Sequence, residues 1–318
     1  MQGFRPWAPG EEFQINQEFC RIFGVARSLD EWRWKFVTPA GGPFVLTAWE
    51  GDVLLAHTAA VPQKWQAFHK PLVAAQVVDV FSKSAPGKSL AAGRLFLHTM
   101  EELFRWLATE GSCAFVYGFP SAKPLALYQR GRVAEEVAGE PMQFCRDIHP
   151  RATFLPPLGL QMGSSFLAAG ELWMAVAERV ALAVERTADY LRYRYGPQAP
   201  YTYRFFAAYR GENLAAWTVV RAKGDHLCLA ELLWDGEDTA SLEKLLTAVE
   251  RYGAHLGLKR LELWLTGDPL LAKALGALGF QARPHPEVAL TLRSFHPTLT
   301  TATIARGIFL TLGDSDLV

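Results

Sequence analysis

Three stretches of the chain carry residue types that could do chemistry. Lys88-Ser89-Leu90-Ala91-Ala92-Gly93-Arg94 follows an apolar run and opens a helical pattern. The first N–H groups of a helix lack partners and its dipole favours anions, so small residues between Lys and Arg at a helix start suit a phosphate. An ordinary surface loop capped by Ser89 is the other reading. Asp79 is the single acid in the apolar run Leu72–Phe81. Burial disfavours the charged carboxylate, which would raise its pKa toward that of a general base; a structural aspartate hydrogen-bonded to nearby backbone is the alternative. His57 lies on a neighbouring strand-like segment, where it could relay a proton or simply pack.

Other chemistries find no residues to carry them. No Ser/His/Asp or Cys/His set, Walker A pattern or HExxH helix is present, and Cys20, Cys113, Cys145 and Cys228 are too scattered for a zinc site. No metal is expected, and the cysteines read as buried free thiols. Lys plus Arg and Asp plus Glu are both 32, which gives no electrostatic case for nucleic acid or an anionic membrane. The start MQGFRPWAPGEE has no signal-peptide core, and no apolar stretch reaches the length of about 20 residues that a membrane span needs. A cytoplasmic setting is the expectation. The oligomeric state is left open.

These residues must be positioned by two similar halves, as the length of 318 residues suggests. Phe44–Ala60 superimposes on Arg204–Val220 at an offset of 160: Ala48, Gly51, Leu54, Ala56 and Thr58 fall on Ala208, Gly211, Leu214, Ala216 and Thr218. Both read as strand, glycine turn, strand. Aromatic-basic alternations precede them, Trp32-Arg33-Trp34-Lys35-Phe36 and Tyr193-Arg194-Tyr195, and His57 is matched by Trp217. The first half reads as helices at Glu12–Phe23 and Leu29–Phe36, strands at Phe44–Glu50, Val53–Val61 and Leu72–Phe81, a helix at Leu90–Thr109 with Phe96, Met100, Leu103 and Leu107 on one face, a strand at Cys113–Phe119, a short helix ending near Gly131, and closing strands in Ala134–Ile148. A linker rich in Pro and Gly at 151–163 divides domains at 1–150 and 164–318. The second half begins with a helix to about Arg186. Two strands and a third at Leu227–Trp234 follow, then an amphipathic helix with Leu242, Leu245, Leu246 and Val249. A strand at Arg260–Leu265, a helix at Pro269–Leu278 and Val288–Ser294, which closes the second sheet, complete it. By composition the tail Thr298–Val318 reads as solvated and disordered; alternatively Asp314 and Asp316 reach back to an amine substrate.

This order, with Arg5-Pro6-Trp7-Ala8-Pro9-Gly10 at its start, Gly118-Phe119-Pro120-Ser121 before a helix, and Leu278-Gly279-Phe280 in the second half, resembles the GNAT superfamily of acyl-CoA-dependent N-acyltransferases. The resemblance covers nearly the whole chain as a tandem pair. It implies an α/β (α+β) fold of two GNAT-like domains, each a mixed, mostly antiparallel sheet flanked by helices. It also implies a cleft where two central strands splay. The pantetheine arm would lie along Val80, Phe81 and Ser82, the CoA pyrophosphate on Lys88, Ala91, Ala92, Gly93 and Arg94, and Ser121 would also contact the cofactor. Lys88 stands where the superfamily has Arg or Gln, and Ala91 where it has its first Gly. The second half instead carries Asp235-Gly236-Glu237-Asp238, whose acids would repel CoA.

The resemblance makes Tyr128 the candidate general acid, seven residues after Ser121, with Leu275 in the equivalent place of the second half; a packing role on the sheet is the other reading. Asp79 is the candidate base and His57 a relay. The expected activity is transfer of an acyl group, acetyl from acetyl-CoA or another acyl-CoA, to a primary amine of a small molecule or peptide. The alternatives are a non-catalytic ligand-binding protein with a decayed cofactor loop, and a FemAB-like transferase using aminoacyl-tRNA, which the zero net charge disfavours.

Overall fold

The computed structural model describes residues 3–37, 41–83, 89–149, 160–161 and 165–316. In chain order these form β1 (Phe4–Pro6), α1 (Glu12–Phe23), α2 (Leu29–Phe36), β2 (Phe44–Glu50), β3 (Val53–Ala67), β4 (Lys70–Ser82), α3 (Ser89–Thr109), β5 (Phe115–Gly118), α4 (Ala122–Gly131), β6 (Glu135–Val137) and β7 (Met142–Asp147). There follow β8 (Leu160–Gln161), α5 (Phe166–Ala177), β9 (Leu182–Val184), α6 (Ala188–Tyr195), β10 (Arg204–Arg210), β11 (Asn213–Lys223), β12 (His226–Trp234), α7 (Thr239–His255) and β13 (Arg260–Thr266). Last come α8 (Pro269–Ala277), β14 (Gln281–Pro284), β15 (Leu290–Ser294), α9 (Thr301–Gly307), β16 (Ile308–Thr311) and a 3-10 turn at Leu312–Asp314.

The repeat seen in the sequence is a repeat of structure. Gly51 and Gly211 both adopt positive φ, +57° and +62°, in the turns of the hairpins β2–β3 and β10–β11. That conformation costs a residue with a Cβ and suits glycine. Each hairpin has a register shift at the same place, between Ala48 and Trp49 and between Ala208 and Tyr209. Ser28 and Thr187 cap α2 and α6, accepting from the N–H groups of Glu31 and Tyr190.

Two compact units result, and neither is contiguous in the chain. The first comprises residues 1–65, 71–138 and 287–305; the second comprises 66–70, 139–286 and 306–318. In the first unit β1–β2–β3 is antiparallel, β4 pairs β5 in parallel, and the sheet is completed by β15, antiparallel to both β5 and β6. One face is covered by α3, whose Phe96, Met100, Leu103 and Leu107 pack with Leu46, Ala60, Ala75 and Val116. Ile15 of α1 and Trp32 and Phe36 of α2 pack against Val45, Ala59, Val61 and Val78 on the other. Alternation along β2, Val45 to one side and Leu46 to the other, is the period-two pattern of a strand buried on both faces. In the second unit β8, β10, β11 and β12 are antiparallel, β12 pairs β13 in parallel, and β13 pairs β7, which in turn pairs β14. Leu242, Leu245, Leu246 and Val249 of α7 are wholly buried.

Several expectations are corrected. The closing strands of the halves are exchanged: β7, encoded in the first half, belongs to the second unit, and β15, from the second half, closes the first. Boundaries at 150 and 164 therefore do not divide the structural units. Of the segment 151–163, Leu160 and Gln161 form β8, and the remainder lies outside the described residues. The helix expected up to Arg186 ends at Ala177, and Leu182–Val184 is a strand. Cys113 and Cys228 are buried free thiols, whereas Cys20 and Cys145 are half-buried. No described helix is long and apolar enough to cross a membrane.

The tail is neither solvated nor extended toward a substrate through Asp314. Residues 301–307 are helical and Ile308–Thr311 pair with β9 and β13. Asp314 is 1% exposed and ion-paired to Arg186. Three apolar residues of β16, Ile308, Phe309 and Leu310, are buried with it, and their burial outweighs the polarity of the last turn. Asp316 is exposed.

Candidate functional site

In the first unit the parallel pairing of β4 with β5 covers Ala75↔Val116 and Gln76↔Tyr117. β5 stops at Gly118 and the chain turns into α4, while β4 runs on to Ser82. Among the described residues no strand takes up the edge of β4 that β5 leaves. The Ser82 hydroxyl donates to Ala92 O at 2.9 Å, tying the end of β4 to the start of α3. Ala91 and Arg94 are exposed there, and Ala92 and Gly93 are half-buried. A Cβ at Gly93 would meet only Leu127 Cδ2, at 3.7 Å, an ordinary contact, so packing does not demand glycine. Lys88 lies outside the described residues. Val80 is half-buried, while the Phe81 side chain is in the core, stacked on His57 with ring centroids 5.1 Å apart.

Tyr128, on α4, stacks on Phe96 at 5.8 Å and is nearly buried. Its hydroxyl has no hydrogen-bond partner among the described residues. Burial pushes its pKa well up, so the phenol stays protonated at neutral pH. Ser121 occupies the N-cap position of α4, exposed and with no side-chain cap bond, and bridges to Val288.

The structure places Asp79 in a buried ion-pair cluster. Its carboxylate is buried and shared by two cations, Arg27 on Oδ2 and Lys35 Nζ on Oδ1 at 2.6 Å. Burial alone would raise its pKa, but Lys35 and Arg27 outweigh that and lower it to about 2. Position inside an apolar strand suggested the opposite, because the cations come from elsewhere in the sequence. His57 is fully buried. Its Nδ1–H donates to Asp79 O at 2.7 Å, since a carbonyl only accepts, which leaves Nε2 without a partner. Burial outweighs the nearby Asp79 charge and lowers its pKa to about 4, so it is neutral at pH 7.

The second unit arranges the corresponding elements differently. β12 and β13 pair from His226↔Arg260 to Leu229↔Leu263, and beyond that register β13 pairs with the chain's own last strand, Leu265↔Thr311 and Thr266↔Leu310. β16 and the 3-10 turn pack on β12 as well, with Gly313 so close to Ala230 O that an added Cβ would stand 2.7 Å from it. At the start of α7 the Asp238 carboxylate accepts from Ala240 N–H at 3.0 Å, and Arg210 pairs with Asp235 and Glu237. Here the helix start is already served by the protein's own acid.

A splayed parallel strand pair with a helix start beside it, built twice in one chain, decides the architecture. This is a tandem GNAT fold. Solved structures agree over most of the chain. An Enterococcus faecalis V583 protein described as a probable N-acyltransferase matches with TM-score 0.63 and 14% identity, covering 93% of this chain and 73% of its own. Saccharomyces cerevisiae N-myristoyltransferase with bound myristoyl-CoA matches with TM-score 0.63 and 10% identity, covering 92% and 82%. A GCN5-related N-acetyltransferase from Kribbella flavida matches with TM-score 0.61 and 13% identity, covering 92% and 71%. No protein-family model and no curated protein matches the sequence.

Within this GNAT fold, sequence reading missed Arg27 and Lys35. A signal existed. Arg27-Ser28 and Arg186-Thr187 stand at an offset of 159, each just before a capped helix, and Lys35 and Arg194 recur at the same offset in the last turns of α2 and α6. Two cavities in the second unit, about 400 Å³ beside Tyr201, Arg221 and Tyr252 and about 340 Å³ beside Arg146, Arg260 and Arg283, involve none of the candidate residues.

Proposed function

We propose that the chain is an acyl-CoA-dependent N-acyltransferase working from its first half. The observation that carries this is the asymmetry of the two splayed strand pairs: β16 packs into the one between β12 and β13, and among the described residues no strand enters that between β4 and β5. The pantetheine arm would lie along Val80–Ser82. The pyrophosphate would meet the N–H groups at the start of α3, where Arg94 adds positive charge. Direct transfer needs a neutral amine attacking the thioester carbonyl and a proton for the departing thiolate. Tyr128, protonated and without a competing partner, supplies that proton. Acetyl-CoA is the first donor to test, and the acceptor is a primary amine of a small molecule or peptide.

Calorimetry with acetyl-CoA on the wild type and on Gly93→Glu tests the site. A Cβ meets only an ordinary contact at residue 93, so the variant should fold and should bind at least about tenfold more weakly, a difference of about 1.4 kcal/mol, through repulsion of the pyrophosphate. Binding unaffected by the variant refutes the site. No binding by the wild type favours a ligand-binding protein with a decayed cofactor loop, the reading that Ala91 in place of glycine supports.

A further inference from the structure

One strand residue of the first unit holds an unusual backbone conformation, and three polar groups converge on it. Asp79 has φ +52°, the left-handed region that residues with a Cβ seldom occupy, and it does so inside β4, three residues before its end. Arg27 and Lys35 each take one oxygen of its carboxylate, and the His57 Nδ1–H takes its carbonyl. The clamp is itself held. Asn16 Oδ1 accepts from Arg27 Nε at 2.6 Å, Asn16 Nδ2 donates to Arg27 O at 2.7 Å, and the Arg27 guanidinium lies 3.5 Å from the centre of the Phe19 ring. Such an arrangement is costly to bury and fixes one geometry.

The second half shows the same cations put to another use. Lys83 N–H donates to Leu55 O, and Asp235 N–H to Ala215 O, at places related by the offset of 160 in the hairpin. Counting back equally from these bonds brings Asp79 onto Glu231. Arg186, the counterpart of Arg27, bridges Glu231 and Asp314, while Arg194, the counterpart of Lys35, donates to Gly313 O and Ser315 O. Glu231 is not among the residues with positive φ. Where both cations close on one acid, that strand residue is left-handed; where they hold residues 313–315, it is not.

We infer that Arg27, Lys35 and His57 are positioning residues: through Asp79 they set the break in β4 that turns the backbone of Val80–Ser82 toward acyl-CoA. The inference rests on the proposed acyl-CoA site. A left-handed residue disrupts the ladder locally and re-aims the groups that follow it, and the edge of β4 immediately after Asp79 is the one that β5 leaves. None of the three side chains needs to touch the cofactor.

Glycine provides the test, because it adopts φ +52° without a clamp. Two triple variants, Arg27→Met/Lys35→Met/Asp79→Gly and Arg27→Met/Lys35→Met/Asp79→Ala, both remove the buried charges and differ only at residue 79. Acetyl-CoA dissociation constants, melting temperatures and amide exchange at Val80 and Phe81 are measured on both. The glycine triple should bind within about threefold of wild type and the alanine triple at least about tenfold more weakly, the scale on which left-handed strain acts. Equal binding by the two, tight or weak, overturns the inference. If the wild type itself does not bind acetyl-CoA, the proposed function fails on its own. Amide exchange then decides the clamp: wild-type rates in the glycine triple and altered rates in the alanine triple uphold it, and identical rates in both overturn it.

Discussion

Replacing Asp314 with alanine tests how the chain's end is held. The carboxylate is buried with Arg186, which has no exposed side-chain surface; it also accepts from Thr311 N–H at 2.8 Å. Asp314→Ala leaves that N–H without its acceptor and a buried guanidinium with one acid fewer. Removing one member of a buried ion pair costs about 3–5 kcal/mol. Glu231 still faces Arg186, at 3.2 Å, so the lower end applies, about 3 kcal/mol. For a unit of this size that corresponds to a fall in Tm of about 6–12 °C. Urea denaturation followed by tryptophan fluorescence reads it, Trp173 lying 5.0 Å from the Arg186 guanidinium. Asp316→Ala, at an exposed position, is the control and should stay within about 0.5 kcal/mol. An Asp314→Ala variant as stable as that control would refute the account of the buried tail.

Tyr128→Phe should lower kcat about 10²-fold or more with little change in KM, the signature of a lost general acid, while its Tm stays within about 2 °C because the hydroxyl has no partner to lose among the described residues; a kcat within about threefold of wild type would assign the ring to packing. His57 makes acid destabilising. Its folded pKa, about 4, lies below the ordinary 6.5, so its contribution to stability is complete above pH 6.5 and is lost as the pH falls through 4. The stability difference between wild type and His57→Phe should therefore shrink by about 3 kcal/mol between pH 7 and 4, and a pH-independent difference in denaturant titrations would contradict a buried neutral imidazole. The Gly93→Glu and residue-79 glycine experiments complete the set.

Much of this fold was legible because its signals are local. The hairpin glycines Gly51 and Gly211, the caps Ser28 and Thr187, and the helical spacing of Phe96, Met100, Leu103 and Leu107 each sit within a few residues of what they determine. What escaped is non-local. Nothing in Met142–Asp147 says that its partner is Arg260–Trp264 rather than a strand of its own half, because a short strand is compatible with many edges. The same holds for Asp79. Its surroundings in sequence are apolar and suggest a raised pKa, but the deciding charges are Arg27 and Lys35, 52 and 44 residues away. Tyr128 is offered by the resemblance, seven residues after Ser121, and burial keeps its phenol protonated; its role as acid belongs to the proposal, and the base that would deprotonate the amine has no such local mark.

The exchange of β7 and β15 governs how this chain can be made. Domains of a growing chain commonly fold in order, the N-terminal one first. Here the first sheet is incomplete until Leu290–Ser294 has left the ribosome, and the second closes only with Ile308–Thr311. Neither unit can finish during synthesis of its own half; the first waits for Leu290–Ser294 and the second for Ile308–Thr311. Cut at the linker, each fragment would expose the bare edge that the other's strand covers, so the two pieces are expected to need each other to fold and to recombine one to one when mixed.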